Sequence, residues 1–211
     1  NVMIVGLLGF IGSGKGTAGD ILKDMGFTPV SFAKGVKDVA AEMFGWPRHL
    51  LEGDTQVSRE WREQPDEFWS KSFGKDFTPR LALQLMGTEI GRDIIHPDVW
   101  IYALERRIGM YQNVVIADVR FPNEIDWVHK MKGLVIEIQR GDKPIWYNDM
   151  VNNIDDEPLR IELMKRFGVH QSEWAWVGHD IDEVIRNDGT KANLKDKLVS
   201  ALTKHYGAST I

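Results

Sequence analysis

Gly9-Phe10-Ile11-Gly12-Ser13-Gly14-Lys15-Gly16-Thr17 follows the apolar run Val2–Leu8 and opens a helical pattern. A strand, a glycine-rich turn and a helix in this order form the context in which such a loop binds phosphate. Its glycines let successive backbone N–H groups turn toward phosphate oxygens. The helix behind the loop adds the positive end of its dipole. Lys15 is expected to reach the β- and γ-phosphates of ATP, with Gly12, Ser13, Gly14 and Gly16 in the cradle. Gly16 takes the usual place of the Mg²⁺-binding hydroxyl, so Thr17, one residue later, is expected to supply it.

The rest of the chain repeats this alternation. Apolar runs at Pro29–Phe32, Val114–Ala117, Leu134–Ile138 and Val184–Ile185 are separated by helical patterns. Short continuous apolar runs joined by helices predict an α/β fold, a three-layer sandwich on a five-stranded, mostly parallel sheet. Helices are expected at about 15–25, 35–44, 57–72, 79–94, 98–110, 122–131, 157–167 and 192–205. About eighty residues lie between the second and third strands, far more than one crossover needs. The chain therefore reads as one domain, 1–211, with a helical insertion at about 45–97 over the ends of the sheet. Residues 139–180 mix Gly, Pro, Trp and charge, and read as a lid.

Val114-Val115-Ile116-Ala117-Asp118 is a buried-strand pattern ending in a carboxylate. Beside a phosphate loop such an Asp is expected to hold Mg²⁺, through water. Arg120 follows it, and its planar fork suits an acceptor phosphate. Glu124 reads as a solvated first-turn residue. In the helix from Pro79, Arg80, Gln84, Thr88 and Arg92 lie four apart and drift by only about 40° per step. They form a polar stripe that can face solvent or read a base edge and a phosphate. Gly87 and Gly91 in the same helix predict a close approach to its backbone.

The bulk numbers narrow the function. The 211 residues carry 31 acidic against 26 basic side chains, a net charge of −5, and no cysteine. A nucleic-acid duplex, which needs a dense basic face, is therefore an unfavoured partner. Disulfides, zinc–thiolate sites and cysteine nucleophiles are excluded. No stretch approaches the roughly 20 apolar residues of a membrane helix, so no membrane role is expected. The start of the chain does not read as a signal peptide. Homodimerisation is left open.

Taken in order, several segments resemble the bacteriophage deoxynucleoside monophosphate kinases. They are Gly9–Thr17, Ser31-Phe32-Ala33 with Lys37, Leu83–Glu89 with Gly91-Arg92, Asp98-Val99-Trp100, Val119–Glu124, His170 with Ser172-Glu173, and Val184–Thr190. The resemblance implies an α/β nucleotide-kinase fold, ATP and Mg²⁺, a deoxynucleoside monophosphate (dNMP) acceptor, and a cytoplasmic site, that of the host for a phage protein. It implies Lys15, Arg120 and Asp118 as catalytic. Lys37, Arg80, Gln84, Thr88, Arg120 and Glu173 are then expected near the acceptor, with Trp146 as a base-stacking lid aromatic; Arg62, with Arg59, joins the acceptor phosphate site if its helix lines the cleft. Asn187, Gly189 and Thr190 would lie near the adenine of ATP, or form a plain strand-to-helix turn. Arg140, Arg160 and Arg166 are unranked lid arginines. Trp61 and Trp69 read as core, and His170 as a structural hydrogen-bonding residue. Two rival readings are a kinase for a hydroxyl acceptor, with Asp38 or Asp118 as base, and a non-catalytic ATP-binding switch.

Overall fold

The apolar run before the glycine loop forms β1 (Met3–Leu8), every residue of it buried. Burial on both faces marks it as a central strand. The computed structural model of the chain describes residues 2–109, 111 and 113–210. After the loop come α1 (Lys15–Asp24), β2 (Thr28–Val30) and α2 (Ala33–Phe44). A short 3-10 turn (Arg48–Leu51) leads to α3 (Gln56–Glu63) and α4 (Glu67–Phe73). Next are α5 (Pro79–Gln84), a π-helical segment (Leu85–Ile95) and α6 (Val99–Ile108). The chain continues through β3 (Asn113–Ile116), α7 (Pro122–Lys130) and β4 (Leu134–Gln139). It ends with α8 (Tyr147–Asn152), α9 (Glu157–Phe167), α10 (Gln171–Trp174), β5 (Glu183–Arg186), α11 (Lys191–Tyr206) and a 3-10 turn.

The five strands lie in the order β2-β3-β1-β4-β5, and all four pairings are parallel. Side chains alternate across the sheet. Val5 and Leu7 join Ile136, Ile138 and Ile185 under α1 and α11, where Ala18, Ile21, Leu22, Leu194, Leu198 and Leu202 complete one core. Gly6 points the other way, toward α7, where a Cβ would meet Val119 at 3.0 Å and Val128 at 3.3 Å. Helices on both faces give the expected three layers. Chain order reverses on either side of β1, so the carboxyl ends of the strands beside it form a switch point, the usual place for a ligand in such sheets. No described helix is long and apolar enough to cross a membrane.

The chain divides into two compact units. One holds the described residues up to Ser31 and from Tyr111 on, and contains the sheet; the other is Phe32–Gly109. The second unit has its own core, in which Val36, Ala40, Trp46, Leu51, Phe77, Ala82 and Met86 pack with Trp61, Trp69 and Trp100. Trp61 and Trp69 are thus core residues, as read.

Two helical expectations change. The helix expected over 57–72 is two helices. Pro65 keeps Gln64 extended, at φ −89° and ψ 136°, and Asp66 then starts α4 by accepting from the Trp69 N–H at 2.8 Å. The helix expected over 79–94 is α-helical only to Gln84. Beyond it the Trp100 indole N–H donates to the Gly87 carbonyl at 2.9 Å, an acceptor that an α-helix would reserve for residue 91. A side chain inserted into the ladder widens the turn. The last residue of the helix expected over 98–110 lies outside the described residues; α6 runs to Ile108.

Candidate active site

A parallel sheet places all its carboxyl ends on one edge, and each strand contributes a side chain or turn there. After β1, the loop takes positive φ at Gly9 (152°), Gly12 (79°) and Gly14 (98°). Gly14 caps α1 in the left-handed conformation, and a Cβ on it would collide with the Asn187 amide. Thr17 lies exposed in the first turn of α1. Lys15 reaches back across the loop and donates to the Gly9 carbonyl at 2.9 Å. Burial, with the Arg120 guanidinium nearby, lowers its pKa to about 8; Asp118 and Glu173 act in the opposite sense.

After β2, Ser31 Oγ donates to Asp118 Oδ2 at 2.7 Å and fixes the carboxylate that follows β3. After β5, Asn187 is buried. Its backbone N–H donates to the Gln139 carbonyl at 2.7 Å, and its side-chain amide to the Ser13 carbonyl at 2.9 Å. Arg140, at the end of β4, donates through Nε to the Asn187 carbonyl at 2.9 Å. Asn187 therefore supports the phosphate loop from behind. Thr190 caps α11 by accepting from the Asn193 N–H at 3.2 Å, and Gly189 closes tightly over Asn193.

Arg120 is positioned by a residue read from sequence as solvated. Glu124 is buried, and its Oε1 accepts from the N–H groups of Arg120 at 2.8 Å and Phe121 at 3.0 Å. This carboxylate fixes the turn that carries the arginine.

A cavity of about 260 Å³ opens beside the loop, lined by Lys15, Arg120, Trp146, Ser172, Glu173 and Trp176, among others. Phe10, inside the phosphate loop, forms its aromatic hub. Its ring centroid lies 4.8 Å from that of Trp176 and 5.6 Å from that of Trp146, the latter edge-on. Trp146 is itself buried, seated on the loop. Two cations, one carboxylate and three aromatic rings thus converge. Such a set can bind an anion at one end and a flat ring at the other.

The remaining candidates sit in the Phe32–Gly109 unit. Lys37 donates to Glu52 at 3.0 Å, and Arg80 pairs with Glu63 at 2.6 Å. Arg62 lies over Gly53 and donates to the Leu51 carbonyl at 3.4 Å. Gln84 ends α5, and Thr88 is buried in the π-helical segment. The close approach expected at Gly87 and Gly91 is made by the Trp100 indole. Of the three lid arginines, Arg140 holds Asn187, Arg166 pairs with Glu162 at 3.0 Å on the surface, and Arg160 is fully buried. His170 caps α10, its Nδ1 accepting from the Ser172 N–H at 3.2 Å.

Sequence reading misses Phe10 and Trp176, and it gives Glu124 and Arg160 other roles, a solvated first-turn residue and an unranked lid arginine. Phe10 stood in the quoted motif, at one of its variable positions. Trp176 stood in the run Trp174-Ala175-Trp176, whose density of large aromatics is itself a sign of burial. Glu124 carried a local signal, a Glu at the third helical position after Pro122 that can accept from the backbone at the helix start, whereas nothing local marks Arg160.

Over 178 residues, 77% of this chain and 82% of the relative, the chain is 37% identical to a protein of Acanthamoeba polyphaga mimivirus named a deoxynucleotide monophosphate kinase. Over a 49-residue stretch, 22% of this chain and 20% of the relative, it is 49% identical to the deoxynucleoside-5′-monophosphate kinase of Escherichia phage T5. No family model matches the chain. Among solved structures, the shikimate kinase of Aquifex aeolicus aligns with 96% of this chain and 97% of its own, at a TM-score of 0.43 and 10% identity.

Proposed function

The chain belongs to the deoxynucleotide monophosphate kinase family, and on that premise we propose that it transfers the γ-phosphoryl group of ATP to a dNMP, giving ADP and the deoxynucleoside diphosphate. The observation that carries this reading is the convergence of Lys15 and Arg120 on one aromatic-walled cavity beside the phosphate loop.

The acceptor oxygen belongs to a phosphate that is already ionised near neutral pH, so the reaction needs no general base. That oxygen attacks the γ-phosphorus. The bond from phosphorus to the β–γ bridging oxygen breaks, and ADP leaves with its electron pair. Catalysis then consists of aligning two anionic groups and neutralising their charge. In our reading Lys15 and the loop N–H groups hold the donor phosphates, and Arg120 grips the acceptor phosphate. Trp146, Trp176 and Phe10 offer faces to the base. Glu173, which only accepts hydrogen bonds when ionised, suits an N–H or O–H of the acceptor.

Thr17 and Asp118 are the residues we assign to Mg²⁺. Their donors are a hydroxyl and a carboxylate, both hard oxygens. Hard oxygen donors suit Mg²⁺, an ion that keeps several waters and substrate phosphates in its shell. When bound, Mg²⁺ would neutralise charge on the β- and γ-phosphates. Asp38 is a poor base for a hydroxyl acceptor. Burial would lift its carboxyl, but Arg48, at 2.8 Å, and Lys34 hold it below the usual range. We place the reaction in the cytoplasm, that of the host for a viral protein.

The test is a coupled ADP-release assay with ATP and Mg²⁺ against dAMP, dCMP, dGMP and dTMP, the matching ribonucleotides, and no acceptor. Turnover with one or more dNMPs above both controls is expected. ADP release that does not depend on acceptor would overturn the proposal.

A further inference from the structure

Among the described residues Arg160 is the one fully buried arginine, at 0% exposure. It projects from α9 beneath the segment that follows α10. Its Nη2 donates to the Val177 carbonyl at 2.8 Å and to the Trp174 carbonyl at 3.3 Å. Its guanidinium carbon lies 5.3 Å from the centre of the Trp174 ring. Nε and Nη1 have no hydrogen-bond partner among the described residues, and the nearest carboxylate, Glu157, is 4.0 Å from Nη1. A guanidinium out of water with so few acceptors is costly. As a contribution to stability alone, an apolar side chain of similar volume would serve as well.

The two carbonyls it grips point to a different role. Trp174 and Val177 bracket Trp176, and Trp174 directly follows Ser172 and Glu173; Ser172, Glu173 and Trp176 line the cavity. Arg160 itself is not among the lining residues. We propose that Arg160 is a positioning residue: by clamping residues 174–177 it sets where Glu173 and Trp176 stand in the cavity. The proposal rests on the reading of that cavity as the acceptor site. Both carbonyls accept from the single nitrogen Nη2, whose two N–H bonds are fixed in the guanidinium plane, whereas the ammonium of a lysine is a rotating point charge on a different stem.

Arg160→Met and Arg160→Lys test this by steady-state kinetics with ATP and dNMP varied separately, alongside thermal midpoints. The Met variant should raise KM for dNMP about tenfold or more, because small misplacements of substrate-positioning groups are amplified in rate and binding. The Lys variant, able to reach one carbonyl, should fold and show a smaller rise, about threefold. KM for ATP should hold in both. If the Met variant does not fold, the Lys variant decides. Unchanged constants in the Lys variant, or parallel rises for both substrates, overturn the proposal. Glu173→Gln separates this from the underlying reading. If it leaves the dNMP KM unchanged, the cavity is not the acceptor site. If it raises that KM while Arg160→Lys does not, the positioning role alone fails.

Discussion

Asn187 donates its side-chain amide to the Ser13 carbonyl at 2.9 Å, joining the end of β5 to the phosphate loop across 174 positions of sequence. The contact is buried, and Gly14 has room for its left-handed turn only because it lacks a Cβ against that amide. The position read from sequence as adenine-binding therefore acts first on the loop. Asn187→Ala leaves the buried Ser13 carbonyl unpaired, a cost of about 1–3 kcal/mol. It should lower the thermal midpoint and raise KM for ATP about tenfold, with KM for dNMP little changed. Separate titrations of the two substrates check this; a rise confined to dNMP would mean that Asn187 does not govern the loop.

Glu124 does for Arg120 what Asn187 does for the loop. Its carboxylate oxygen accepts from two successive backbone N–H groups. Glu124→Gln keeps an acceptor oxygen and should retain most activity. Glu124→Ala strands both donors and should cost about 1–3 kcal/mol of stability. It should also reduce kcat, because Arg120 is no longer fixed. Arg120→Ala supplies the reference. If Glu124→Ala lowers stability but leaves kcat intact, the turn does not depend on this carboxylate.

In the Phe32–Gly109 unit the π-helical segment depends on Trp100. A Cβ on Gly91 would stand 2.6 Å from Trp100 Nε1 and 2.6 Å from the Met86 carbonyl. Gly91→Ala must relieve both contacts, an overpacking cost of about 1–3 kcal/mol. For a chain of this size that is a fall of roughly 2–4 °C in melting midpoint per kcal/mol. An unchanged midpoint by calorimetry would show that the indole can retreat freely.

Which parts were legible follows from the range of the interactions. The strands and the loop announce themselves through local pattern: six buried apolar residues, then glycines at fixed spacing. The parallel pairing followed from strands alternating with helices, but the order β2-β3-β1-β4-β5 was not read from the sequence, because it depends on which strands meet across long connections. Pro65 was visible too, and its effect on Gln64 breaks the helix expected over 57–72. The π-helical segment was not legible, because its cause is an indole thirteen residues beyond Gly87. Glu124 looked like a solvated helix-start residue until its two N–H partners were in place. Arg160 looked like a lid cation, and only the fold shows it beneath Trp174. A charge buried for long-range reasons leaves no periodic trace.

Lys15 gives a pH signature with a definite sign. Its folded pKa, about 8, lies below its ordinary 10.5 because burial, with Arg120, disfavours the ammonium. Below pH 8 both folded and unfolded chains carry the proton, and the full cost of the buried charge, of order 3 kcal/mol, is present. Between pH 8 and 10.5 the unfolded chain holds more protons, so this group's contribution to stability improves as pH rises. Wild type should therefore gain stability relative to Lys15→Met across that window, in denaturant titrations run in parallel. Bound phosphates reverse the balance. They favour the ammonium and draw the pKa back up, so ATP binding takes up a proton. ATP affinity should be nearly flat below pH 8 and fall above it, approaching tenfold per pH unit for one linked proton. A flat affinity from pH 7 to 10 would mean that Lys15 keeps its ordinary pKa or does not meet the phosphates. The Lys15→Met stability difference decides between them: a difference that changes with pH excludes the first.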